Sequence, residues 1–287
     1  MISTPGIYTI PLQDYISDPC VTPSLSAGVA HALISQSPLH AWMKHPRLNP
    51  HYEHEDTNAT DIGTIAHALL LEDDKSRVVV VEAEDWRTKA AKEARDNARA
   101  IGKLPVLKHK MGQIEAMVKA AREAIAASEV AQDFTNGKAE QTIVFGSGIL
   151  WMRSRPDWLT NDYRIILDYK TTQGSAEPSS WMRNVMIPCG YDLQANIAIR
   201  GITMTCQSSK PVVVVFMVQE TEPPYAMSFV SLTPKFLELA HAKVSQAIHL
   251  WHMSMDSGTW PSYPSRIAYL DPPVWMQMEP PTQGVEL

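Results

Sequence analysis

Two acidic residues and one lysine carry the clearest chemical signal in the chain. Asp157 stands in Arg155-Pro156-Asp157, and Asp168 and Lys170 follow the apolar run Ile165-Ile166-Leu167. Side chains alternate along an extended chain, so Asp168 and Lys170 share one face. If the strand that Asp157 ends pairs with the strand carrying Asp168, the two carboxylates meet. Held close, they repel unless a cation lies between them. Hard oxygen ligands of this kind suit Mg²⁺ or Mn²⁺, which take few protein groups and keep several waters. A lysine beside such an ion can orient an attacking water or stabilise charge on a phosphate in transfer. Asp-x-Lys alone is common and usually marks a surface pair. Pro-Asp, then an apolar strand, then Asp-x-Lys is a more specific combination.

A second element stands upstream in Gly63-Thr64-Ile65-Ala66-His67. On a helix, Gly63 and His67 lie one turn apart on the same face. A turn without a side chain beside an imidazole lets a metal, a substrate or another backbone come near. A lone histidine on an apolar helix is more often structural. Here the carboxylates give it candidate partners.

Elements must bring these residues together, and the hydrophobic pattern supplies them. Residues 1–22 read as an irregular lead-in. Ser24 or Ser26 caps a helix near 26–35, and Ser37-Pro38 opens a short second one. Residues 45–58 read as a loop, and a helix runs from Asp61 through Leu71. Val78–Glu82 reads as a strand, 86–101 as a charged helix, and Gly102 and Pro105 as its breakers. Leu107, Met111, Ile114, Val118, Ala121 and Ile125 recur at spacings of four and three, which makes one apolar stripe of a long helix. Glu140–Phe145, Leu150–Arg155 and Arg164–Lys170 read as strands. Helices follow near 178–186 and 191–203, then strands over Val212–Val218 and Ala226–Leu232, then a helix over 234–254 capped by Thr233. Six prolines between residues 256 and 287 predict an extended tail clamped onto the body or onto another subunit. This order predicts an α/β fold, a central mixed β-sheet flanked by helices.

Composition bounds the rest. The 287 residues are 45% hydrophobic, enough for a full core, which excludes a disordered or fibrous chain. No apolar run approaches the ~20 residues of a membrane span. The N-terminus carries no secretory pattern, and Cys20, Cys189 and Cys206 form neither a disulfide framework nor a CxxC site. A cytoplasmic setting is the simplest expectation. The net charge of −6 argues mildly against nucleic acid, but residues 86–122 hold ten Lys/Arg against three acids. Lys89, Lys92, Arg95 and Arg99 belong to this block, which can hold a polyanion locally or be a solvated helix face.

The ordered set of motifs resembles the RecE-type exonucleases (exodeoxyribonuclease VIII). These belong to the PD-(D/E)XK nuclease superfamily, with phage lambda exonuclease and the RecB nuclease domain. The resemblance runs through Ser24-Leu25-Ser26, Ser37-Pro38, Gly63 to His67 and Arg155-Pro156-Asp157-Trp158. It continues through Asp168 to Thr172, Gly190-Tyr191-Asp192-Leu193-Gln194-Ala195 and Gly258-Thr259-Trp260-Pro261. It implies a restriction-endonuclease-like core in one nuclease domain over 1–264, with a helical part at 23–130, a core sheet at 138–232 and a closing helix at 233–255. Residues 265–287 form the tail.

The resemblance further implies that His67, Asp157 and Asp168 bind metal, with the Tyr169 backbone carbonyl as a possible fourth ligand. Lys170 becomes the catalytic lysine. Glu140 stands open between an accessory acid and a surface glutamate. Gln194 becomes the glutamine of a Q-x-x-x-Y motif that contacts DNA or orders the site. The tyrosine of that motif falls on Ala198, so Tyr191 is its candidate substitute. Arg155 and Tyr191 count as DNA contacts. The implied activity is Mg²⁺-dependent degradation of linear double-stranded DNA from its ends, 5′ to 3′. The implied assembly is a homo-oligomeric ring acting beside a single-strand annealing recombinase in phage-type recombination, with no membrane. The rivals are an endonuclease and a non-catalytic DNA-binding module on the same fold.

Overall fold

The computed structural model describes residues 1–53, 61–206, 211–273 and 276. Residues 54–58 of the expected loop and most of the tail beyond 273 lie outside the described residues. In chain order the elements begin with β1 (Gly6–Tyr8), α1 (Leu12–Ile16), β2 (Ser24–Leu25), α2 (Ala27–Ser35) and α3 (Pro38–Met43). Next comes α4 (Asp61–His67), which runs on through a π turn, Ala68–Glu72. Then follow β3 (Val78–Val81), α5 (Lys89–Ala100), β4 (Leu104–Leu107), α6 (Lys108–Ala126) and α7 (Ala131–Thr135). The strands β5 (Gly137–Ala139), β6 (Thr142–Ser147), β7 (Leu150–Ser154), β8 (Trp158–Thr160) and β9 (Ile165–Thr172) come in succession. The chain closes with α8 (Pro178–Trp181), a π turn (Met182–Met186), α9 (Ile187–Cys189), α10 (Tyr191–Cys206), β10 (Val213–Glu220), β11 (Met227–Ser231) and α11 (Pro234–Ser257).

The fold is α/β, but its strands divide into two principal sheets where a single central one was expected. One has the order β1-β6-β7-β2 and the other β11-β10-β9-β8-β5; β3 and β4 form a small parallel pair. The larger sheet is mixed, since β9 and β10 run parallel and its other pairs are antiparallel. Two further expectations need correction. Residues 1–22 are not wholly irregular, because β1 adds to the sheet edge beside β6. Helix α5 does end before Gly102, and Pro105 sits inside β4, where the missing N–H is tolerated at a sheet edge. The strand over 150–154 does not pair with the strand carrying Asp168. It pairs with β6 and β2 in the smaller sheet.

The chain crosses between the two sheets as one bent antiparallel ribbon. Ile143 faces Ser154 in the smaller sheet, and Ala139 faces Trp158 in the larger. That register is unbroken across the bend, so it sets Glu140 opposite Asp157. The Glu140 N–H donates to the Asp157 carbonyl at 3.0 Å. Beyond the bend β8 pairs with β9, Trp158 facing Leu167. Extending that register by one places Asp157 opposite Asp168. The carboxylates therefore do meet, through a strand pairing that the hydrophobic pattern did not reveal.

Period-2 alternation along β9 splits its side chains between two cores. Ile166 packs with Leu193, Phe216 and Trp251 under α2, α10 and α11. Leu167 and Tyr169 pack with Ile65, Leu70 and Met117 under α4 and α6. Asp168 and Lys170 thus belong to the α10 side, and Thr171 to the α4 side. Past α11, Gly258 turns the chain, and the Leu39 N–H donates to the Pro261 carbonyl at 3.1 Å. The start of the tail is clamped onto the body there, while Tyr269 and Leu270 are exposed. Among the described residues, no helix is long and apolar enough to cross a membrane.

Candidate active site

Four parts of the fold converge on one point. The ribbon bend supplies Glu140, Arg155 and Asp157; β9 supplies Asp168, Tyr169 and Lys170; α4 supplies His67; α10 supplies Tyr191 and Gln194. The Tyr169 N–H donates to Asp157 Oδ2 at 2.8 Å, which fixes that carboxylate against the next strand. His67 Nε2 lies 3.2 Å from Asp157 Oδ1 and 3.6 Å from Glu140 Oε1. Lys170 Nζ forms a close ion pair with Asp168 Oδ1 and sits 4.8 Å from the centre of the Tyr191 ring. On its other oxygen Asp168 accepts from Gln194 Nε2 at 2.6 Å.

Helix α4 reaches the sheet because Gly63 has no side chain. A Cβ there would lie 2.5 Å from Thr171 Oγ1. The phenol of Tyr169 points away and donates to Gln219 Oε1, so this residue offers the site its backbone.

The charges divide the labour between the two aspartates. Burial alone would raise Asp157, but His67, Lys170 and the Tyr169 N–H outweigh it and hold the carboxyl below the usual range. Asp168 is almost wholly buried, and burial followed by the Asp157 charge pushes it up to about 6. Of the pair, Asp168 is the one that takes a proton first. Burial works to lower Lys170, yet Asp168 and Asp157 win and keep it firmly cationic. Burial also works to lower His67, and Asp157 and Glu140 together raise it. Burial is the main cause that raises Glu140.

Several expected residues find definite places. Glu140 is a member of the site and not a loose surface acid. Its backbone is left-handed (φ 57°), and Arg155 Nε holds its carboxylate at 2.5 Å. Arg155 also donates to the Ile10 carbonyl at 2.9 Å and to Thr142 Oγ1 at 2.8 Å, so its contacts are within the protein. Gln194 engages Asp168 and orders the site. Ala198 is buried in the core, and Tyr191 lies under the lysine. Lys89, Lys92, Arg95 and Arg99 stand on α5, away from these contacts. Lys89 pairs with Glu93 at 3.7 Å and Arg95 with Asp96 at 2.9 Å.

The site opens into a cleft of about 1150 Å³, lined by His67, Glu140, Asp157 and Lys170 and by Tyr15, Trp86, Lys110 and Glu222 among others. Glu72 belongs here too, and sequence reasoning missed it. Five residues apart on an α-helix, two side chains diverge by about 140°. The π turn after His67 removes that divergence. One ligand atom each of His67, Glu72 and Glu140 then lies within 4.8 Å of the others. Periodicity carries no signal for such a turn.

The arrangement fits a divalent cation. The donors are one imidazole and several carboxylates, a set suited to Mg²⁺ or Mn²⁺. Asp168 Oδ1 is buried with the Lys170 ion pair on it but no aligned hydrogen bond. The resemblance assigns the ion to His67, Asp157 and Asp168; the ligand atoms that cluster within 4.8 Å of one another are those of His67, Glu72 and Glu140, with Asp157 Oδ1 3.2 Å from the same imidazole.

A family model described as "PDDEXK-like domain of unknown function (DUF3799)" matches residues 33–273. The chain belongs to this family. The PDDEXK-like domain also resembles a solved structure from Eubacterium rectale described as a "putative exonuclease", with a TM-score of 0.61. Identity is 11%, and the match covers 93% of this chain and 96% of that one, so the likeness is one of fold. An alkaline exonuclease from Laribacter hongkongensis gives a TM-score of 0.24 at 12% identity, over 68% of this chain and 95% of that one. Among curated proteins, none matches by sequence. The α/β fold and the PD-(D/E)XK superfamily reading therefore stand.

Proposed function

We propose that this PDDEXK-like domain is a Mg²⁺-dependent exodeoxyribonuclease that degrades linear double-stranded DNA from its ends. The observation that carries the reading is the meeting of His67, Asp157 and Lys170 in one cleft, with Asp168 buried behind them in an ion pair with Lys170. When bound there, Mg²⁺ (or Mn²⁺ in its place) lowers the pKa of a coordinated water and neutralises charge on the scissile phosphate.

The protein's own groups do the positioning. Lys170 is held cationic between Asp168 and Tyr191, so it serves as an electrostatic partner for a phosphate oxygen and not as a general base. Gln194 fixes the Asp168 carboxylate through its 2.6 Å hydrogen bond. Glu140, braced by Arg155, faces the same His67 nitrogen as Asp157 does. Most of the rate gain would come from this fixed geometry, as is general for phosphoryl transfer.

The resemblance to RecE-type exonucleases extends the proposal to 5′-to-3′ polarity, a homo-oligomeric ring and a single-strand annealing partner in recombination, in a reducing cytoplasm. The exposed Lys89 and Lys92 would then track the DNA backbone outside the cleft. Phosphate contacts of that kind weaken steeply with salt.

Digestion of linear against covalently closed duplex DNA tests the reading, with Mg²⁺ or EDTA, for wild type and Asp168→Ala. Loss of linear DNA alone, only with metal and only in wild type, is the expected result. Cutting of the closed circle makes the protein an endonuclease. Absence of metal-dependent cleavage leaves a DNA-binding module.

A further inference from the structure

The cleft extends beyond the catalytic cluster, and most of its cations are already neutralised. Arg77 pairs with Glu72, Arg155 with Glu140 and Lys170 with Asp168. Lys110 is the exception: it lies exposed in the first turn of α6, lines the cleft, and has no acidic partner among the described residues. Trp86 lines the same cleft from the segment between β3 and α5. Among the described residues, its ring stacks on no other ring and its indole N–H has no acceptor. Val106 and Leu107 line the same cleft. A half-exposed indole and an unneutralised ammonium lining one cleft are the two groups that a single nucleotide engages. A base offers a π-face, and its phosphate offers the charge.

We infer that this end of the cleft is a subsite for an unpaired nucleotide of a DNA strand, with Trp86 stacking on the base and Lys110 holding its phosphate. The inference rests on the nuclease reading for the identity of the polymer. It adds that the strand entering the cleft has left its duplex, because only an unpaired or terminal base exposes a face to the indole. Stacking of this kind tolerates every base, so the subsite grips without reading sequence.

The test is equilibrium binding of a labelled single-stranded oligodeoxythymidylate to the full chain in EDTA, followed by anisotropy across a salt series. Trp86→Ala should weaken binding by about 5- to 100-fold at every salt concentration. Trp86→Phe, which keeps a ring, should stay within about three-fold of wild type. Lys110→Ala should reduce the salt slope by about 0.7, the share of one phosphate on a single strand. A strand with an abasic site should bind wild type more weakly, and Trp86→Ala should not distinguish it from the intact strand. Wild-type affinity in folded Trp86→Ala, failure of Phe to rescue, or an unchanged salt slope in Lys110→Ala overturns the subsite. If Trp86→Ala binds normally while wild type digests linear DNA, the subsite fails and the nuclease stands. If Trp86→Ala weakens binding while no metal-dependent cleavage exists, the subsite stands and the nuclease fails.

Discussion

Replacing Gly63 with alanine tests whether the close approach of α4 to β9 sets the chemistry. The new Cβ would meet Thr171 Oγ1 at 2.5 Å, whereas ordinary contact begins near 3.4 Å. Thr171 is β-branched and set in a strand, so its rotamer yields poorly. The helix must therefore back away by up to about 0.9 Å. His67 rides on the same helix one turn later, and its 3.2 Å contact with Asp157 opens with it. A displacement of about 1 Å in a catalytic constellation costs on the order of 100-fold in rate. Overpacking costs about 1–3 kcal/mol in stability, so the variant should fold. The assay is metal-dependent turnover of linear duplex beside thermal unfolding. Adding Thr171→Ala removes the clashing oxygen, leaves the nearest Thr171 atom at 3.6 Å, and should restore most of the rate. Wild-type turnover in Gly63→Ala, or a double variant no faster than the single one, would refute this reasoning.

Four other predictions concern the same frame. Gln194→Ala strips the 2.6 Å hydrogen bond from Asp168 and should weaken metal binding by about 10- to 100-fold, measured by titration calorimetry; unchanged affinity counts against an ordering role. Asp168 sits at about 6 when folded against an ordinary 3.8, so the folded chain holds a proton that the unfolded chain has lost. Stability of the metal-free protein should fall as pH rises through that window, as urea titrations at stepped pH would record. Metal must expel that proton and one from His67, so log affinity should climb with pH at a slope of about two below pH 6; a flat profile contradicts the donor set. Gly190 stands at φ 72° with a Cβ position 2.6 Å from His31 Cδ2, so Gly190→Ala should cost about 1–3 kcal/mol by urea unfolding, and a loss below about 0.5 kcal/mol would show the turn to be compliant.

Much of this site was legible in the residues themselves. Asp157, Asp168 and Lys170 carry a pattern that chemistry recognises, and Gly63 with His67 announces a close helix. The stripe of α6 was equally plain, because a long amphipathic helix repeats its signal. What escaped was short or tertiary. β5 and β8 have three residues each, too few for an alternation to show. With β8 unseen, the partner of β9 was misplaced onto β7. Asp61 to Leu71 reads as one helix, and nothing in its apolar spacing marks a π turn. Glu140 was undecided because its role depends on facing Asp157 across a bend. Trp86 and Lys110 lie far from the motifs in sequence and join the site only by lining the same cleft.

The bend in the β5–β8 ribbon carries a consequence for how the protein matures. Glu140, Arg155 and Asp157 occupy the two strands where the chain passes from one sheet to the other. Neither sheet owns the site. Each contributes one bank of a seam, and the ligands acquire their spacing only when both banks are fixed. A partly folded chain with one sheet formed would bind the ion poorly and cut nothing. Hydrolytic power would therefore arrive last, together with the final packing of the two cores. For a nuclease, the seam would work as a proofreading device in assembly.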